Sequence, residues 1–211
     1  MTTAAAVLLG LVAVLAVVNW WSVGTGRRGI EHLTKPATLV ALIGVALTID
    51  PVDDGARAWF VVALAFSLAG DVFLMLRTDR FVAGLASFLV AHLAYVVGLV
   101  LLGPSAVWAG VGLAVVAVAL VTVGRRIVTA ARTSRPALAR PVTAYLVVIS
   151  MMVVAAFGTG RPLAVVGALL FYASDAMIGW REFVAPFPGA RVAVMSTYHL
   201  GQVGLVLSLV A

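Results

Sequence analysis

Four ionisable side chains stand inside long apolar runs of this sequence, where such groups are costly and rare. They are Asp71, His92, Asp175 and His199. Two carboxyl groups in one water-poor pocket cannot both ionise cheaply, so one should keep its proton at neutral pH while the other stays charged. Such a pair suits hydrolysis through a cationic transition state, because the acid protonates the substrate and the carboxylate stabilises positive charge or activates water.

The same four residues allow a second chemistry, since two histidines and two aspartates can supply the three or four ligands of a metal site. A nucleophilic mechanism has less support, because the sequence contains no cysteine and no Gly-x-Ser-x-Gly motif. We therefore expect acid/base catalysis by Asp71 and Asp175 without a bound metal or other cofactor.

Polar residues near these groups in sequence or at helical spacing form a predicted supporting set. Its members are His92, His199, Tyr95, Tyr172, Ser174, Tyr198 and Gln202. Hydrogen bonds between helices, worth only about 0.6 to 2 kcal/mol each, explain the tyrosines and the glutamine equally well. Both interpretations stay open at this point.

The composition places these residues in a membrane. Hydrophobic residues make up 64% of the 211 positions and charged residues only 10%, which leaves too little polar surface for a water-soluble domain. In hydrocarbon the backbone must satisfy its own hydrogen bonds, and long apolar runs without alternation favour helices over a β-barrel. The sequence predicts an all-α integral membrane protein with a single membrane domain over residues 1–211.

Eight segments are candidates to cross the bilayer, whose core of roughly 30 Å requires about 20 helical residues. Cuts at charged and Gly/Pro clusters define the predicted transmembrane helices. They lie near residues 4–23, 36–50, 57–76, 81–102, 105–123, 141–158, 162–181 and 191–210.

Positive charge sets the predicted orientation, because short cytoplasmic loops collect Lys and Arg. Of the 14 such residues, only Arg57 and Arg161 fall outside the loops that follow helices one, three, five and seven. These loops are predicted to be cytoplasmic, so both termini face outward from the inner (plasma) membrane. The net charge of +6 then reflects topology and contact with anionic lipid, and we expect no nucleic-acid partner.

The two halves of the chain repeat a polar pattern. Arg57 precedes Asp71 by 14 residues, and Arg161 precedes Asp175 by the same 14. Three further matches in the same order are Gly26-Arg27-Arg28 with Gly124-Arg125-Arg126, Lys35-Pro36 with Arg140-Pro141, and His92-Leu93 with His199-Leu200. The sequence predicts two parallel four-helix repeats, about 1–103 and 104–211, which bring both aspartates to one depth. Packing residues shared by duplicated bundles are the alternative.

Distance from the cytoplasmic helix ends sets the predicted depth of the site. Asp71 and Asp175 should lie roughly 8 to 9 Å deep, and His92 and His199 roughly 12 to 16 Å. We therefore expect a pocket that opens to the cytoplasmic leaflet.

Two cations stand at the predicted rim of this pocket, where a lipid phosphate would lie. They are Lys35 and Arg77, although an anchor that snorkels to the interface explains Arg77 as well. Lys35 directly precedes the proline at the predicted start of helix two, where a helix N-terminus would also favour an anion.

Short motifs spread over nearly the whole chain carry a family resemblance. They are Lys35-Pro36, Gly70-Asp71, the series Phe81, Gly84, Phe88, His92 and Tyr95, Ser174-Asp175, and the pair Tyr198 and Gln202. In order and placement they resemble the YhhN-like lysoplasmalogenase family. One departure is Gly201, where we would expect alanine, a difference that should change packing more than chemistry.

The resemblance implies an eight-helix membrane hydrolase that cleaves the vinyl ether of a lysoplasmalogen, or of a related lysolipid, to a fatty aldehyde and a glycerophospho-alcohol. The family's two membrane aspartates map onto Asp71 and Asp175. The expected partner is a lysophospholipid that enters from the inner leaflet. Two other readings stay open: a small-solute transporter built from parallel repeats, and a haem protein with His92 and His199 as axial ligands.

Overall fold

The computed structural model describes residues 1–76 and 80–210. Over these two ranges the regular secondary structure is helical, as the composition predicts. The helices are α1 (Thr3–Gly24), α2 (Arg28–Thr48), α3 (Asp54–Met75), α4 (Phe81–Leu101), α5 (Ala106–Ala119), α6 (Arg125–Ser134), α7 (Pro136–Gly158), α8 (Pro162–Phe183) and α9 (Ala190–Leu207).

Seven helices among the described residues are long and apolar enough to cross a membrane. Six are α1, α2, α3, α4, α7 and α8, and the seventh is the continuous helix Ala106–Ser134, which combines α5 and α6. Helix α9 occupies the place of the predicted eighth span, but its 18 residues are not among the seven. The chain is a multi-pass membrane protein, and an eighth crossing stays a prediction.

Two predicted helix starts are wrong. Helix α2 begins at Arg28 and α7 begins at Pro136, so Pro36 and Pro141 lie inside their helices. An internal proline removes one backbone hydrogen bond, but helices in bilayers tolerate this where neighbouring groups compensate. Lys35 therefore lies about two turns inside α2, and the predicted anion site at a helix N-terminus is wrong.

The prediction of a loop after helix five is also wrong, because most of that segment is helical. Helix α5 continues into α6 through a π-helical turn over Leu120–Gly124, and only Arg135 separates α6 from α7. Helix α6 packs against α7 and α8 and buries Ile127. The continuation of this helix thus closes one side of the bundle near the end of α8.

Glycines let two consecutive helix pairs approach closely. A Cβ atom at Gly70 of α3 would lie 2.6 Å from the Phe88 ring of α4. A Cβ atom at Gly201 of α9 would lie 2.8 Å from the backbone nitrogen of Phe171 on α8. Because the obstacle at Gly201 is backbone, the departure seen in the sequence at this position does bear on packing.

The remaining helix contacts define two neighbourhoods inside the bundle. Helix α2 packs against α3 and α9, while α7 packs against α4 and α8. A single large apolar core connects these helices, and a smaller one lies under α6. Asp71 on α3 consequently lies among α2, α3 and α9, whereas Asp175 lies among α4, α7 and α8.

Candidate active site

Asp71 is fully enclosed and paired with a cation. Its side chain is 1% exposed, and its Oδ1 atom lies 2.9 Å from the Lys35 ammonium of α2. The Tyr198 hydroxyl of α9 donates a hydrogen bond of 2.9 Å to Oδ2. A buried charge requires such partners, because isolation from water is costly. Asp71 thus has a cationic partner and a hydrogen-bond donor at the junction of three helices.

Asp175 has a different set of partners. The Tyr145 hydroxyl of α7 donates a hydrogen bond to Oδ2, and His92 Nε2 of α4 lies 3.7 Å from the same oxygen. The Asp175 side chain is 11% exposed, and no Lys or Arg of the described ranges lies within 4.0 Å of it. Among the described residues this carboxyl group has polar contacts but no lysine or arginine partner.

A cluster of aromatic rings connects the two carboxyl groups. Tyr198, the partner of Asp71, packs edge to face on Phe88 and on Phe171. Phe171 in turn contacts the His92 ring at a centroid distance of 4.7 Å. The two groups therefore belong to one connected region of the bundle, although neither touches the other.

A polar cavity of about 610 Å³, here called the vestibule, lies on the Lys35 side of this region. Its charged and titratable lining residues are Arg28, Glu31, His32, Lys35, Arg135, Arg181, Glu182 and Arg191. Two ion pairs cross its rim, Arg191 with Glu31 at 2.6 Å and Arg135 with Glu182 at 2.5 Å. Cations outnumber carboxylates in this lining, so the vestibule favours an anion.

A narrow apolar cavity of about 60 Å³, here called the cleft, lies on the Asp175 side. Its walls come from α3, α4, α6, α7 and α8, and Asp175 and Tyr145 are its two titratable residues. Leu74, Phe81 and Ile178 line both cavities. The vestibule and the cleft are therefore neighbours that share one wall.

The predicted pair of rim cations is only half described. Lys35 lines the vestibule and contacts Asp71, as a residue between headgroup and carboxylate would. Arg77 lies outside the described residues. Arg181 of α8 also lines the vestibule, which adds a cation near the place predicted for Arg77.

Three predicted supporting residues form contacts on the Asp71 side. The Tyr95 hydroxyl donates to Gln202 Oε1 between α4 and α9, one helical turn from Tyr198. His199 Nδ1 accepts a hydrogen bond of 3.1 Å from the Trp20 indole of α1. Since Nδ1 is an acceptor, the neutral ring carries its proton on Nε2. These contacts fix α9, which presents Tyr198 to Asp71.

Two other predicted supporting residues lie in helix contacts away from the carboxyl groups. The Ser174 hydroxyl donates a hydrogen bond of 3.1 Å to the Val194 carbonyl of α9. The Tyr172 hydroxyl is buried and has no hydrogen-bond partner among the described residues. Of the two roles left open by the sequence, packing between helices fits both of these residues better.

Tyr145 and Trp20 contact site residues without having been predicted. Nothing in the spacing of charged groups marks Tyr145, because its partner Asp175 is 30 positions away. One signal was available: the chain has only 4 tyrosines, and the other three were already in the predicted set. Trp20, which contacts His199 across 179 positions, has no comparable signal.

The metal alternative lacks a ligand cluster. Over the described ranges, no group of three or more His, Cys, Asp or Glu side chains is arranged to hold a metal ion. Of the four residues considered for such a site, only His92 and Asp175 pair directly. The arrangement instead offers two carboxyl groups with separate partners, which suits proton transfer.

Comparison with known proteins adds independent information. The YhhN family model matches residues 30–209. A lysoplasmalogenase of Mycobacterium bovis is 33% identical over 184 residues, which cover 85% of this chain and 70% of that protein. Lysoplasmalogenase TMEM86B of Homo sapiens is 30% identical over 176 residues, 83% of this chain and 74% of that protein. No solved structure matches the chain significantly.

Proposed function

The chain belongs to the YhhN family, and from this premise we propose that it hydrolyses the vinyl-ether bond of a lysoplasmalogen or related lysolipid. The products are a fatty aldehyde and a glycerophospho-alcohol. The observation that carries the mechanism is the unequal setting of two buried carboxyl groups, Asp71 against Lys35 and Asp175 at an apolar cleft. Relatives that bear the name lysoplasmalogenase support the choice of substrate.

Asp175 is the proposed proton donor. It lines the cleft, whereas Asp71 is sealed behind Lys35. An uncharged carboxylic acid needs no counter-ion in a medium of low dielectric constant, and Asp175 has no cation beside it in the described ranges. The Tyr145 hydroxyl donates to Oδ2 and thereby orients the group, while His92 Nε2 lies 3.7 Å from the same oxygen.

The proposed reaction begins with proton transfer from Asp175 to the outer vinyl carbon. The C=C bond electrons form the new C–H bond, which leaves an oxocarbenium ion at the ether carbon. Water adds to that carbon and returns a proton to the Asp175 carboxylate, so one residue acts as acid and then as base. The resulting hemiacetal breaks its bond to the glycerol oxygen, and its hydroxyl proton passes to that departing oxygen, which releases aldehyde and alcohol.

Asp71 is proposed to act electrostatically. Its carboxylate, fixed by Lys35 and Tyr198, belongs to the region that the rings of Tyr198, Phe171 and His92 connect to Asp175. A fixed negative charge in a site of low dielectric constant stabilises a cation that develops nearby. In the same arrangement, Lys35 faces the vestibule and offers its remaining donors to the substrate phosphate.

The vestibule is the proposed headgroup site. Its excess of cations matches the phosphate of a lysophospholipid, and its position beside the cleft matches the short distance between phosphate and vinyl ether. Charge distribution along the sequence supports a vestibule that faces the cytoplasmic leaflet of the plasma membrane, with both termini outside.

The proposed topology contains two parallel repeats. Helix α3 packs against α4 as α8 packs against α9. Likewise α1 packs against α2 as the continuous helix of α5 and α6 packs against α7. In this arrangement Asp71 and Asp175 occupy matching helices. The proline inside α2 likewise has its counterpart inside α7.

The test is aldehyde release by purified protein in detergent from a panel of alkenyl, alkyl and acyl lysolipids. Cleavage of the alkenyl lysolipid alone supports the vinyl-ether mechanism, because protonation of carbon requires the double bond. Loss of activity in Asp175→Asn, with unchanged elution on size exclusion, supports its assigned role. Solute flux in proteoliposomes without aldehyde release from any lysolipid would contradict the proposal and favour a transporter.

A further inference from the structure

The apolar cleft beside Asp175 has no role in the proton transfers. Apart from Asp175 and Tyr145 its lining is hydrocarbon, aromatic carbon or glycine, contributed by five helices. Along α8 the lining passes from Asp175 through Gly179 to Phe183, a length of roughly 12 Å at 1.5 Å per residue. An apolar lining of this length, with a carboxyl group in it, suits a few methylene groups of a flexible hydrocarbon chain.

We propose that the cleft binds the part of the substrate's hydrocarbon chain nearest the ether bond, and that Gly179 and Ile127 set the width it accepts. This inference rests on the proposed hydrolysis of a lysolipid. The occupant is thus a single straight chain, while the headgroup of the same molecule lies in the vestibule.

The relation between the two cavities supports this choice of occupant. Leu74, Phe81 and Ile178 belong to both linings, so the two cavities are adjacent at the level of one helical turn from Asp175. The vestibule is polar and carries an excess of cations, whereas the cleft is almost entirely apolar. A molecule with an anionic head and one apolar chain matches this pair, and the bond between its two parts then falls beside Asp175.

Gly179 is where the cleft is most easily narrowed. A Cβ atom at this position would lie 3.3 Å from both Ile127 Cδ1 and Ile127 Cγ2 of α6. Ile127 is 1% exposed and held against α7 and α8, so it has little room to move. A methyl group at Gly179 therefore occupies space that the glycine leaves to the cleft.

Gly179→Ala tests the inference, with Gly110→Ala as the matched control. Gly110 is also helical, but a Cβ atom there has nothing within 4 Å. For a long straight alkenyl lysolipid we expect Gly179→Ala to raise KM roughly tenfold and leave kcat nearly unchanged. An alkenyl chain too short to reach Gly179 should show no change, and Gly110→Ala should match the unmodified protein with both substrates.

A compensating change separates occupancy of the cleft from damage to the fold. The double variant Gly179→Ala with Ile127→Ala removes both close contacts, so the KM for the long chain should return toward its original value. An equal loss of activity with long and short chains, or no rescue by a folded double variant, would overturn the chain site.

Photo-crosslinking provides a measurement that does not depend on turnover. A lysolipid with a diazirine in its chain should label α7 or α8 at the cleft, and a non-cleavable alkyl ether serves as the probe. Labelling of the lipid-facing side of α5 alone, for example at Val107 or Val118, would overturn the inference. If no alkenyl lysolipid is cleaved but the cleft is labelled, hydrolysis fails as the function and the chain site stands.

Discussion

The neighbourhoods of Asp71 and Asp175 differ although the sequence presents the two residues alike. Each aspartate follows an arginine by 14 positions, and each lies deep in the bundle. Asp71 is paired with Lys35 and closed off, whereas Asp175 faces the cleft and contacts Tyr145 and His92. The counterpart of Lys35 in the second half is Arg140, which is exposed.

This difference shows how two matching carboxyl groups can take separate roles. A charged group and a neutral acid at neutral pH require different partners, a cation for the first and uncharged hydrogen-bonding groups for the second. Lys35 of α2 pairs with Asp71, whereas no lysine or arginine of α7 pairs with Asp175. This single ion pair distinguishes the surroundings of the two carboxyl groups. Four predictions test the distinction, in order of decreasing expected effect.

The largest expected effect is the loss of activity in Asp175→Asn. An amide cannot deliver a proton to carbon, so aldehyde release should fall by about 10²- to 10⁴-fold. The midpoint of thermal unfolding should change little, because no lysine or arginine in the described part of the chain pairs with Asp175. A folded variant that releases aldehyde at a near-normal rate would remove Asp175 from its role.

Asp71→Asn should also lower aldehyde release, by a smaller factor than Asp175→Asn, and it should lose stability in addition. Without its carboxylate partner Lys35 remains in a buried site, which costs about 3 to 5 kcal/mol. The thermal midpoint should therefore fall well below that of Asp175→Asn. The double variant Lys35→Met with Asp71→Leu should regain stability and remain inactive. Equal thermal midpoints for the two single variants would contradict the proposed difference between the carboxyl groups.

Tyr145→Phe should lower kcat by about ten- to hundredfold. The substitution removes the hydroxyl that donates to Asp175. The Asp175 carboxylate that forms on proton transfer loses this donor, and a hydrogen bond to a charged group contributes about 1.5 to 3 kcal/mol. Tyr172→Phe is the matched control, since its hydroxyl lies away from both carboxyl groups. Similar rates for these two variants would show that Tyr145 does not orient the acid.

The smallest effect is expected for Ser174→Ala, directly beside Asp175 in sequence. Its hydroxyl joins α8 to α9 through the Val194 carbonyl, so the variant should lose about 0.5 to 1.5 kcal/mol of stability. Aldehyde release should stay within about twofold of the unmodified rate. A large drop in kcat without a change in stability would return Ser174 to the supporting set of the site.

The sequence predicted most helices within a few residues because their limits follow from polarity. Its errors concern places where polar residues continue a helix, as at Arg28 to Lys35 and along α6. Placing helix limits at charged clusters makes the predicted helix too short at such places, because side chains at the interface reach water while their backbone remains helical. The prolines inside α2 and α7 led to the same error, because the predicted helices began at these residues.

Of the candidate site, the sequence identified the costly groups but not their partners. Ionisable residues in apolar runs are visible in any linear pattern, which is why Asp71, Asp175 and Lys35 were found. Tyr145 and Trp20 were missed, since a tyrosine or tryptophan in a membrane helix usually needs no special explanation. Their roles depend on contacts across 30 and 179 positions.

The sequence by itself determined that the chain lies in a membrane, that it is helical, which family it resembles and which two carboxyl groups stand inside apolar runs. Each of these follows from residue type and order along one chain. Only the tertiary structure decided which carboxyl group receives the lysine and which faces an apolar cleft. That choice depends on how α2 and α7 pack against their neighbours. Packing is set by contacts between distant segments, and the local pattern around Asp71 and Asp175 is nearly the same.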